Sequence, residues 1–244
     1  ANLTNAIVTG VTLRDSTGFA AQQLYATASY QNHNLQGIDL SGNDLTGWDF
    51  SGQNLTDAAM GHLFAGPTTL TGANLAGALV TRANFVNTTG RGFTKEQLYS
   101  TASYQQKNLP DIGLTEDDLS GWDLSGQNLT NAQLRAAILT GTDLTGADLT
   151  SADLSFSTLD NANLTGANVR NANLTTSLES AVFDLTTVYN QGTRFPPEFN
   201  PVAAGLTVVP SPAGDFDAND LLDAFDLYLL MERIWHEDDD HITS

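Results

Sequence analysis

The sequence contains no cysteine, so neither disulfides nor thiolate metal sites are open to it. Basic residues are scarce. Nine Lys and Arg stand against 28 Asp and Glu, for a formal net charge of -19. A chain this acidic repels nucleic acid and anionic membranes, and its natural counterparts are cations, basic proteins and water. No apolar run approaches the roughly 18 residues that span a bilayer, so membrane insertion is not expected. There is no initiator Met, so the start at Ala1 reads either as a mature end cut after a small residue, the favoured expectation, or as an artificial boundary.

What is present is a period of five. An apolar residue recurs at Leu35, Leu40, Leu45, Phe50 and Leu55, resumes at Leu70, Leu75, Val80 and Phe85, and then runs unbroken from Leu109 through Leu139 to Leu174. Leu3, Val8 and Leu13 keep the same step. Five fits neither a helix at 3.6 nor a strand at 2. It fits a chain that turns a corner every five residues and points each leucine inward from the middle of a short side. The residue two before the leucine is often small, as in Ala147-Asp148-Leu149 and Ala162-Asn163-Leu164. A methyl group can share a narrow interior that a larger side chain would overfill. Asn or Asp between them faces water, and Thr-Gly or Ser-Gly supplies the turn. Four sides close a square, so one coil takes about twenty residues and stacks on the next at roughly 4.8 Å.

These residues resemble the pentapeptide repeat family, whose pattern is A-(D/N)-L-x-x, over most of residues 34–190. The resemblance implies an all-β fold, a right-handed quadrilateral β-helix or solenoid, and some members of that family mimic duplex DNA and act on topoisomerases.

A longer repeat lies above the short one. Residues 18–58 and 92–132 align without a gap and agree at about two positions in three. Both carry Gln-Leu-Tyr-x-Thr-Ala-Ser-Tyr-Gln, from Gln23 and from Gln97, and both continue to Gly-Trp-Asp at Trp48 and Trp122. Each opening lacks the five-residue step. Thr94 with Gln97 resembles a capping box, so residues 19–31 and 93–105 are expected to be short helices that interrupt the solenoid. Their expected role is to cover the coil, with matched docking knobs as the alternative, and Trp48 and Trp122 are expected to pack against them. Residues 58–70, with His62, Phe64 and Pro67, should form a loop or bulge.

After Leu174 the step slips, and Phe183, Val188 and Phe195 carry the apolar signal onward. The prolines within 194–201 lack the donor that regular pairing needs. Residues 183–210 are therefore read as a terminal cap of the 1–210 solenoid. Residues 211–244 form a second unit. There Asp215, Asp217, Asn219, Asp223 and Asp226 take loop positions 1, 3, 5, 9 and 12, and the Leu221 carbonyl falls at position 7. That spacing wraps hard oxygens round one calcium ion. It looks like half of a dockerin, with Asp220 where that loop usually has Gly and no second loop before Ser244. The helix expected after it is apolar over a broad face that includes Leu222, Phe225, Tyr228 and Trp235. The stretch from His236 to His241 reads as a solvated tail.

No catalytic arrangement emerges. The serines occupy repeat positions, and neither His33 nor His62 has ligand-like neighbours or a nucleophile context. The expectation is a non-enzymatic structural or interaction protein, bacterial and extracellular or at the cell surface, meeting a protein partner or itself. The alternative is a DNA mimic acting on a topoisomerase.

Overall fold

The computed structural model describes residues 2–64, 66 and 68–210. The period of five becomes a ladder. Asn108, Gly113, Asp118 and Asp123 each pair in parallel with the residue twenty further on, at Asn128, Gln133, Ile138 and Asp143. Four ladder positions per twenty residues make a four-sided coil, and coils stack into a β-helix. Each rung is closed twice: the Leu129 N–H donates to the Asp148 carbonyl at 2.7 Å, and the Asp148 N–H donates to the Gln127 carbonyl at 2.9 Å. Between rungs the chain turns, so extended pieces are single bridge residues and long strands do not form. The described two-residue strands are β1 (Val188–Tyr189) and β2 (Thr207–Val208).

The inward leucines form one continuous core. From Leu109 to Leu174 every fifth residue is at most 1% exposed. The alanines two before them, such as Ala147, Ala162 and Ala172, are equally buried. Fully burying each such leucine is worth roughly 1.5–3 kcal/mol. At the N-terminal coil Val8 is buried, while Leu3 and Leu13 are half-buried. Corners demand a left-handed residue. Gly146 has φ 64°, and where glycine is missing Asn131, Asn161 and Asn171 take its place, as a short polar side chain tolerates that conformation best.

Three insertions interrupt the step of twenty without breaking the ladders, the first between Thr12 and Asp39, which pair across the first helical segment. Asp44 pairs with Thr69, five residues beyond the usual partner; within the loop expected at 58–70, Ala59 and Thr69 are themselves rungs, and the described residues 61–64, 66 and 68 lie between them. Asn84 pairs with Gly113 across the second helical segment. Each helical segment is two single turns rather than one helix: α1 (Ala21–Tyr25) and α2 (Ala28–Gln31), then α3 (Lys95–Tyr99) and α4 (Ala102–Gln105). A 3-10 turn at Thr89–Arg91 leads into the second. Among the described residues no helix is long and apolar enough to cross a membrane.

Past Leu174 the pairing runs further than the prolines led us to expect. Asn173 pairs with Arg194, and after an excursion β2 returns to pair in parallel with β1. The prolines fall inside the excursion, where no rung needs their missing donor. Phe199 packs on Phe195 at 5.1 Å and on Phe183 at 5.6 Å, which covers the last coil.

Candidate functional site

The expected calcium ligands Asp215, Asp217, Asn219, Leu221, Asp223 and Asp226 lie outside the described residues, as do the helix and acidic tail after them. Among the described residues no group of three His, Asp or Glu is placed to hold a metal ion. What the structure does bring together is the motif that occurs twice.

In both copies the motif replaces two sides of a coil, and its side chains take over the backbone's hydrogen bonds. Leu24 and Leu98 point inward and are fully buried. Thr27 and Thr101, also buried, cap α2 and α4: each hydroxyl accepts from the tyrosine N–H three residues on at 3.1 Å. Each also donates back to a leucine carbonyl, at 2.6 and 2.7 Å. Below, the Ser29 hydroxyl accepts the Val8 N–H at 2.8 Å and the Ser103 hydroxyl accepts the Val80 N–H at 2.9 Å. Above, a tyrosine pair stands in for a missing rung. The Tyr25 hydroxyl accepts the Asp49 N–H at 2.6 Å, and the Tyr30 hydroxyl donates to the Asp49 carbonyl at 2.9 Å. Tyr99 and Tyr104 do the same for Asp123.

Burial of these hydroxyls, with the Asp49 carboxylate second, pushes Tyr30 up to about 12. Burial, with Asp123 second, raises Tyr104 as well. The tryptophans pack as expected: Trp48 meets Phe19 at 5.4 Å and Tyr25 at 6.4 Å, and Trp122 meets Phe93 at 5.9 Å and Tyr99 at 6.3 Å. Trp48 and Trp122 are each only 6% exposed. The capping box is complete at Thr94 and Gln97 and half-made at Ala20 and Gln23, where only the glutamine reaches back.

The outward acidic residues also carry structural duties. Asp44 accepts the Thr46 hydroxyl at 2.5 Å and its N–H at 3.0 Å, and these bonds hold its carboxyl below the usual range. Asp123 is lowered in the same way by the Ser125 hydroxyl and N–H. In several rows a carboxylate stacks on an amide. Asn168 donates to Asp148 at 3.1 Å and Asn74 to Asp49 at 2.9 Å, which relieves repulsion between stacked rungs.

One class of residue escaped the sequence reading: polar side chains at the inward position two before the leucine. Asn43, Gln53, Asp117, Gln127 and Thr142 all sit there and are buried. Thr142 satisfies itself on the Leu119 carbonyl at 2.8 Å. Gln53 and Gln127 donate to the Tyr30 and Tyr104 carbonyls at 3.1 Å, while both their Oε1 atoms lack a partner. A polar residue where the repeat asks for alanine was the signal available.

Residues 34–62, 118–155, 128–166 and 137–176 match the model for pentapeptide repeats, with 8 copies. No curated protein matches the sequence significantly. Among solved structures, a pentapeptide repeat protein of the Arabidopsis thaliana thylakoid lumen is 32% identical over 34% of this chain, with TM-score 0.32. The chain spans 57% of that protein's length. Rfr23, a pentapeptide repeat protein from the cyanobacterium Cyanothece 51142, is 24% identical over 70% of this chain and 96% of its own, with TM-score 0.35. QnrB1, a plasmid-mediated fluoroquinolone resistance protein, is 15% identical over 82% of this chain and 87% of its own, with TM-score 0.41. Across residues 34–62 and 118–176, then, the coils of this chain are similar to pentapeptide repeats.

Proposed function

We propose that this chain is a non-catalytic structural or interaction protein: a rigid acidic column, right-handed and four-sided, that presents flat faces to a protein partner or to further copies of itself. The observation that carries the reading is the fate of the twice-used motif. Its serine and tyrosine hydroxyls are spent on joining coil to coil, and its buried threonines on capping its own helical turns. The calcium loop at Asp215, Asp217, Asn219, Leu221, Asp223 and Asp226 is the second part of the proposal. It orders the C-terminal element and suits an extracellular or cell-surface bacterial setting, where calcium is plentiful. Its support is the spacing of oxygen ligands in the sequence. Calorimetry of the full chain should show calcium binding that the double variant Asp215→Ala/Asp226→Ala loses; unchanged binding in the variant removes the calcium element. Electron microscopy with and without calcium reads out the column, as single short rods or as rods joined into fibres. Compact round particles would refute it.

A DNA-mimic reading is favoured by one feature, the net charge of -19 with Asp123 and Asp143 stacked on one outer row. A gyrase supercoiling assay tests it: inhibition or protection at micromolar protein supports mimicry, and no effect dismisses it.

A further inference from the structure

Asp117 is fully buried inside the column, at the inward position that alanine usually holds. Its Oδ1 accepts the Thr88 N–H at 2.7 Å, the Thr89 N–H at 2.9 Å and the Thr89 hydroxyl at 3.1 Å, at the start of the 3-10 turn that leads into α3. Its Oδ2 has no partner at all. An unpaired carboxylate oxygen in a dry interior is among the costlier arrangements a fold can hold.

The other copy of the motif shows what the site is shaped for. Asn43 occupies the equivalent place, and its Oδ1 accepts a backbone N–H, from Ser16 at 3.0 Å. Its Nδ2 donates to the Leu40 carbonyl at 2.9 Å and to the Leu13 carbonyl at 2.8 Å. The counterpart of Leu40 in the second copy is Leu114, whose carbonyl receives only a long 3.3 Å bond from the Asp117 N–H. Where the first copy has a donor, the second has a bare oxygen.

We infer that Asp117 is a proton-operated latch: on mild acidification Oδ2 takes a proton from solvent and donates it to the Leu114 carbonyl, which removes the unpaired buried charge and seats the side chain in its own coil, while Oδ1 keeps its donors on the turn at Thr89–Arg91. Burial is the largest influence on this group and pushes its carboxyl up to about 6, against the pull of the Thr89, Thr88 and Asn87 donors. The charged residues on the neighbouring elements are Glu116 and Asp118 beside it, Arg91 on the turn, Lys95 and Glu96 on α3, and Arg135 in the coil above. None of them is among its hydrogen-bond partners or among the causes of its displacement.

The sign follows directly. Between the ordinary value of 3.8 and about 6 the folded chain holds a proton that the unfolded chain has released, so this group's stabilising effect is complete below that window and lost as pH rises through it. Other carboxylates of the column, such as Asp44 and Asp123, are lowered and act in the opposite direction. The test is therefore a difference between proteins. Urea unfolding of the full chain and of Asp117→Asn should diverge as pH rises from 4 to 7.5, with the unfolding constant of the variant about a hundredfold smaller at the upper end. Asn43→Asp should create the same divergence, with opposite sign, in the first copy. Carbon-13 NMR of the unaltered chain should find one Asp carboxyl titrating near pH 6, and this arm decides even where a variant fails to fold. A carboxyl at Asp117 that titrates at or below 3.8, or a difference between proteins that ignores pH, overturns the latch.

Discussion

Residues 18–58 and 92–132 place the same leucine, threonine, serine and tyrosine pair in the same roles, yet they sit in different company. The first copy lies against the N-terminal coil, where Leu3 and Leu13 are only half-buried. The second lies in mid-column, with regular coils continuing above it to Leu174. They differ at the helix cap, Ala20 against Thr94, and at the inward polar site, Asn43 against Asp117. The positions they share include those that replace a backbone bond of the neighbouring coil, the serine and the two tyrosines. Substitution there leaves a peptide group unpaired, whereas the cap at Ala20 is only half-made in the first copy and α1 still forms. Shared chemistry thus marks the joints of the column, and divergence marks the places with slack.

The largest expected effects fall on the buried leucines. Leu24→Ala and Leu98→Ala should each lower stability by about 3 kcal/mol in denaturant titrations. A much smaller loss for Leu24→Ala would mean that the first copy frays with the end coil and is no equal of the second. Next come the tyrosine rungs. Tyr30→Phe should cost about 2 kcal/mol and Tyr104→Phe about 1, because Asp49 is half-buried while Asp123 is exposed and water can reach its carbonyl. An equal loss at both sites would break that distinction. At the cap, Thr94→Ala should cost about 1 kcal/mol and Ala20→Thr should return a similar amount to the first copy. The mildest test is spectroscopic. Tyr30 should stay neutral until near pH 12, its raised value leaving the fold weakened as pH climbs beyond 10, where the unfolded phenol ionises. An ultraviolet titration in which every tyrosine ionises near 10 would contradict the buried rung.

Much of this was legible in the sequence because a period of five admits so few geometries. Leu109 to Leu174 could be named as core from spacing alone, and all are buried. The helical segments showed themselves by losing that period, and Thr94 with Gln97 announced the start of one. Less visible was the break at Ala26 and Thr27 between α1 and α2. It depends on a buried threonine capping a second turn, and a run of good helix formers hides it. The tyrosine rungs were unreadable, since the partner of Tyr25 and Tyr30 lies in the next coil, at Asp49. Sequence patterns report faces; they do not report which backbone group across a gap lacks a mate. The pairing at Arg194 and again at β2 was obscured for a related reason. The prolines at 196, 197 and 201 forbid rungs only where they stand and say nothing of the residues on either side.

The ladder that links Asp39, Ala59, Asn84 and Gly113 climbs one outer row in three steps of unequal length. Its two ends are equivalent residues of the two copies. Both helical segments therefore emerge on the same flank, in phase, roughly 14 Å apart. Such a lattice can lengthen by duplicating a block of three coils, and the fresh block inherits both the orientation of its parent and a finished seam at each edge. Growth by gene duplication then needs no new fold, only another storey.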